Sequence, residues 1–134
     1  MGYRSQVVLA IAPEAAHAFM ALQAKHPEVM ALCNNADEFM SGYETEGDYF
    51  MHWSSIKWYE DFPEINSLMR FVTAVTSDED LDDYGEHERP KNLEGGDIPW
   101  DFFVRFIRLG ESYEDVEDLG GGFEDIYINR SISF

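Results

Sequence analysis

The sequence predicts an α+β protein: a mostly antiparallel sheet in the order β-α-β-β-α-β-β, a ferredoxin-like variant, with two helices on one face. Three observations carry that expectation. Stretches rich in aromatic and β-branched residues recur at 3–12, 39–45, 48–59, 100–109 and 126–134. Two runs of helical period, each opened by a proline, lie between them. With 134 residues, 45% of them hydrophobic, and ten Phe, seven Tyr and three Trp, the chain can build one core, so residues 1–134 are expected to form a single domain.

Residues 3–12 are dense in Val, Leu and Ile and read as a strand buried on most of both sides. Pro13 then occupies a first-turn position, followed by Glu14 and by Ala16, Phe19, Met20 and Leu22 on or near one face. Pro27 ends or restarts this helix, and Asn34-Asn35 closes the short piece that follows. Residues 39–45 and 48–59 read as a hairpin turned at Glu46-Gly47, the second arm being a central strand with aromatics on both faces. The second main helix starts at Pro63 and carries Ile65, Leu68, Met69, Val72 and Val75 at helical spacing. A capping-box-like pattern at 76–80 can start a further short helix through Leu81 and Tyr84, and residues 78–99, punctuated by Gly and Pro, read largely as a long surface loop. The last third reads as strand, acidic hairpin loop and strand. Residues 100–109 form one arm, 111–125 the loop with its Gly120-Gly121-Gly122 return turn, and 126–134 the other arm, burying Ile126, Ile128, Ile132 and Phe134.

Charge is the most uneven feature. The chain holds 27 acids against nine Lys and Arg, a net of −18, which opposes direct binding to nucleic acid or an anionic membrane and favours cationic partners. Seventeen of those acids fall between Asp78 and Asp125, against four Lys and Arg. Asp78, Glu79, Asp80, Asp82 and Asp83 lead one cluster; Glu111, Glu114, Asp115, Glu117 and Asp118 lead another, within a loop that has seven carboxylates and no cation of its own. Carboxylates two to four residues apart stand very roughly 5–7 Å from one another, comparable with duplex phosphates taken two at a time. These ten residues are therefore the candidate partner-binding set, as a mimic of nucleic acid. The bland alternative is a solvated acidic face.

Other chemistry finds little support. Neither acid run has the spacing of an EF-hand, and His17, His26, His52 and His87 share no zinc-site spacing with Cys33, so no metal or cofactor is expected. His52, beside Trp53, reads as a satisfied core histidine rather than a general base. Cys33 reads as a buried apolar cysteine, and a single cysteine suits a reducing compartment. The three glycines lack the Lys and following helix of a phosphate loop. Trp58, Tyr59 and Trp100 lie at segment ends, where they can form an exposed patch. The apolar run at 7–12 is too short for a signal peptide or a span, so a cytoplasmic protein is expected.

Several stretches together resemble a group of small acidic proteins encoded by tailed bacteriophages and prophages. They are Met1-Gly-Tyr-Arg-Ser, Ile56-Lys57-Trp58-Tyr59 leading into Phe62-Pro63-Glu64, and Val104-Arg105-Phe106-Ile107-Arg108-Leu109-Gly110-Glu111 leading to Asn129-Arg130-Ser131-Ile132. The resemblance implies a non-catalytic accessory protein made in an infected bacterium, and carries over no catalytic residue.

Two expectations of function follow. In the first, the acidic clusters occupy the basic nucleic-acid channel of a host nucleic-acid-binding or defence protein and inhibit it. In the second, the protein is a phage structural or assembly module whose aromatic strands self-associate, a homodimer being one form, while the acids only keep it soluble. An enzyme is not expected; it would need a pocket drawing together groups such as His52, Glu60 and Arg105.

Overall fold

The structure, a computed structural model, describes residues 3–77, 81–85, 90–112, 114–129 and 131–134. Its main sheet has five strands: β1 (Ser5–Ile11), β2 (Glu38–Ser41), β3 (Tyr49–Ile56), β4 (Val104–Leu109) and β5 (Val116–Leu119). They lie in the order β2-β3-β1-β4-β5, and every neighbouring pair is antiparallel. The first four are arranged as in a ferredoxin-like sheet, an order that the sequence left open, with β5 added at one edge. Val7, Val8, Leu9, Ala10 and Ile11 are all fully buried, because β1 is central and covered on both faces.

Three helices cover one face, one more than expected: α1 (Pro13–Lys25), α2 (Pro27–Asn34) and α3 (Pro63–Thr76). Each has proline in its first turn, where the missing N–H costs nothing. Pro27 separates α1 from α2: proline cannot donate back along a helix and restricts the residue before it, so His26 closes one helix and opens the next at φ −128° and ψ 85°. Val7, Leu9, Ile11, Met51, Trp53, Val104 and Phe106 meet Phe19, Leu22, Val29, Leu68, Phe71 and Val72 in the larger core. Deep burial of this apolar surface supplies the main drive for folding.

The chain's end departs from expectation. Residues 126–134 do not extend the main sheet. They fold into a hairpin, β6 (Tyr127–Asn129) with β7 (Ser131–Ser133), that caps the sheet face away from the helices. There Phe123, Ile126 and Ile132 pack on Val8, Ala10, Phe50 and Ile107. Of the four residues expected on one buried face, Ile126 and Ile132 are buried, whereas Ile128 and Phe134 are exposed. The chain reverses between β6 and β7 instead of running on as one strand, so a single alternating face cannot be buried along its whole length. Phe123 adopts a left-handed backbone (φ 52°) while placing its ring in this second core.

Two further expectations need correction. Residues 100–103 form a 3-10 turn rather than the start of β4. Following Pro99, the three-residue period buries Trp100 and Phe103 together and leaves Phe102 exposed, which a strand could not do. Trp58 and Trp100 are likewise buried, so no aromatic patch forms there. Trp53 is satisfied in the core by donating from Nε1 to the Leu32 carbonyl at 3.2 Å. Within 78–99, Asp82–Tyr84 is a 3-10 turn beneath which Leu81 is buried, and Lys91 bridges to Asp97 in an exposed turn.

Candidate functional site

Part of the acidic loop is a strand. Residues 116–119 pair with β4 as Leu109↔Val116, Arg108↔Glu117, Ile107↔Asp118 and Phe106↔Leu119, so β5 is the sheet's outer edge. The sequence of the loop alone hides this, because its charges are matched from the neighbouring strand. Arg108 donates from Nε to Glu117 Oε1 at 2.7 Å, from Nη2 to Asp115 Oδ1 at 2.5 Å, and from Nη1 to Asp115 Oδ2 at 3.0 Å and Ser5 Oγ at 3.2 Å. Arg105 donates from Nη2 to Asp118 at 3.2–3.3 Å and from Nη1 to the Gly120 carbonyl at 3.0 Å. Three of the five acids singled out in this cluster are therefore paired, and both arginines are largely buried.

The period of the strands divides these pairs between faces. Arg108 and Glu117 share the helix side with Phe106, whereas Arg105 and Asp118 share the hairpin side with Ile107. Glu117 and Asp118 are thus not parts of one flat acidic surface. The turn before β5 closes through the Gly110 N–H to the Asp115 carbonyl at 2.8 Å. It is tied to the chain's start by the Ser112 N–H donating to Tyr3 Oη at 3.0 Å and the Arg4 N–H donating to Glu111 Oε1 at 3.2 Å. Arg108, then the Tyr3 hydroxyl, hold the Asp115 carboxyl down at about 2. Glu111 and Glu114 stand exposed at the rim of this turn.

Of the other cluster, Asp78, Glu79 and Asp80 lie outside the described residues, and only the backbone of Asp82 is described. Asp83 is exposed in the helix layer, in a cleft of about 240 Å³ with Lys25, His26, Ser67, Arg70 and Tyr84. It does not join Glu117 and Asp118 on the sheet edge.

The third acidic feature was missed in the sequence. Asp48 is fully buried, and its carboxylate accepts four backbone N–H groups, from Gly42 and Tyr43 on Oδ1 (2.8 and 2.9 Å) and from Glu44 and Thr45 on Oδ2 (2.9 and 3.0 Å). Burial alone would raise its pKa, but the four donors outweigh burial and lower it. The only sequence signal was an Asp within a glycine-flanked turn.

His52 is buried as expected and fully partnered, by Glu38 and Gln6. It shares the hairpin side of the sheet with Arg105, but Val8 and Ala10 of β1 lie between them, while Glu60 lines a separate cleft of about 350 Å³ with Asn66, Met69, Arg70 and Thr73. The three groups do not converge. Cys33 is buried, and burial pushes its thiol up to about 12. Among the described residues no three His, Cys, Asp or Glu side chains are grouped to hold a metal, and no helix is long and apolar enough to cross a membrane. Compared with protein-family models, curated proteins and solved structures, the chain matches none.

Proposed function

We propose that this is a bacteriophage or prophage accessory protein, acting in the bacterial cytoplasm, that binds and inhibits a basic host nucleic-acid-handling or defence protein through carboxylates that stand in for phosphates. The phage attribution rests on the motif resemblance given above. The observation that carries the binding reading is the rigid mounting of the β4–β5 end: Arg108 and Tyr3 hold Asp115 and Glu117 in place while Glu111 and Glu114 project from the same turn. A turn already fixed to the sheet edge needs less backbone ordering when its exposed carboxylates bind. Pairing alters the weight of the ten residues first singled out. Glu111 and Glu114 become the contact charges, whereas Asp115, Glu117 and Asp118 serve mainly to build the edge.

The test is affinity capture from a bacterial lysate, at about 0.1 and 0.5 M salt, with Glu111→Lys/Glu114→Lys as the control variant. The expected result is a nucleic-acid-handling protein that elutes with salt, is competed by duplex DNA and is lost from the variant. Retention indifferent to salt, DNA and substitution would overturn the mimic.

The assembly reading is favoured by a different observation. At the opposite edge all four residues of β2 are exposed, including Phe39 and Met40, and such an edge invites pairing. This reading expects light scattering to report a dimer or larger species that persists in about 1 M salt, where exposed charges are screened within about 3 Å. A monomer under those conditions removes it.

A further inference from the structure

The C-terminal hairpin is tied to the sheet by a hydrogen-bonded chain that runs in one direction only. The Ile132 N–H donates to Gln6 Oε1 at 3.0 Å, which leaves the Gln6 amide nitrogen facing His52 Nε2 at 3.1 Å. An amide nitrogen can only donate, so His52 Nε2 must accept and be unprotonated. The proton then sits on Nδ1, which donates to Glu38 Oε1 at 3.1 Å. The Phe134 ring closes the arrangement, its centroid 4.5 Å from the imidazole.

We propose that this chain is a proton-operated latch: protonation of His52 breaks the link between Gln6 and Ile132 and loosens the C-terminal hairpin from the sheet. An imidazolium carries a proton on both nitrogens and has no acceptor left. Its Nε2–H would oppose the Gln6 amide N–H. If the amide turns over to offer its oxygen to His52, its nitrogen meets the Ile132 N–H instead. Either way one buried donor loses its partner, so the charged ring and the docked hairpin compete.

Carboxylates flank the ring. Glu38 from β2 contacts the ring directly, and Asp37, immediately before β2, lies close enough for attraction. The Asp37 carboxyl is held below its usual range chiefly by the Ser54 N–H, then by the Ser54 hydroxyl, so it stays ionised where histidine titrates. β1 brings no ionisable side chain, nor does the stretch 131–134. Loosening the hairpin would uncover Val8, Ala10, Phe50 and Ile107.

The experiment is amide hydrogen exchange of Ile132, followed by NMR at about pH 7.5 and 5.5 and corrected for intrinsic exchange. In the unmodified protein its protection should fall about tenfold across that interval, the effect of one lost buried hydrogen bond. Gln6→Glu supplies oxygens to both His52 and Ile132 and should hold protection within about twofold. His52→Gln removes the proton and should abolish the step. Constant protection in the unmodified protein, or an equal fall in the His52→Gln variant, would overturn the latch; the second variant decides the matter even if Gln6→Glu does not fold.

Discussion

Arg108 grips Asp115 with both terminal guanidinium nitrogens, at 2.5 and 3.0 Å, and reaches Glu117 with its third at 2.7 Å. One side chain of β4 thereby holds both the turn and the first half of β5. The fork is planar and fixed, so it specifies geometry as well as charge.

Arg108→Met should therefore cost about 1–3 kcal/mol in urea unfolding, because two carboxylates lose their partner at a half-buried edge. Arg108→Lys should recover only part of that loss, since a point charge cannot replace a bidentate contact. Equal stability of the lysine variant and the parent would show that charge alone suffices.

Stability should decline as pH falls below about 4. Asp115 is held at about 2 by Arg108, and Asp48 is also lowered by its four backbone donors. A carboxyl whose folded pKa is depressed stabilises the fold above its unfolded value, about 3.9, and that contribution disappears as pH drops toward the folded value. Measured by urea midpoints, Arg108→Met should show a shallower decline between about pH 4 and 2 than the parent.

Asp48→Asn should lower stability at neutral pH by about 2 kcal/mol or more, because an amide nitrogen would face N–H donors that the carboxylate now satisfies. Loosening should concentrate in the 42–48 turn, visible as faster amide exchange of Gly42, Tyr43, Glu44 and Thr45.

Two glycines in the same backbone region should differ sharply. Gly47 (φ +90°) has room for a Cβ, its nearest neighbour being Pro13 Cβ at 3.5 Å, so Gly47→Ala should cost about 1–2 kcal/mol for conformation alone. At Gly120 (φ +91°) an added Cβ would fall inside the van der Waals shell of the Val104 carbonyl, so Gly120→Ala should cost about 3 kcal/mol or more. Thermal unfolding of both variants makes the comparison.

Cys33 should resist a thiol reagent such as DTNB in the native protein and react only after unfolding, because its thiol is buried and pushed up to about 12. Rapid native reaction would mean that the α2 region opens easily.

The helices and the first four strands were legible because they rest on local physics. Prolines at first-turn positions set the helix starts, the apolar stripe of α3 set its buried face, and the all-apolar run of β1 marked a strand covered on both sides. Tertiary structure decided the rest. An acidic stretch became β5 because Arg105 and Arg108, ten or so positions earlier, lie across the ladder from it. The alternation of 126–134 specified a face to bury but not the layer that buries it, and reversal of the chain sent it to the open side of the sheet. Asp48 and His52 gained their roles in the same way, from donors and acceptors brought together by folding. Local patterning sets which elements form, whereas cross-strand pairs and buried hydrogen bonds join residues distant in the chain, and so only the assembled sheet determines them.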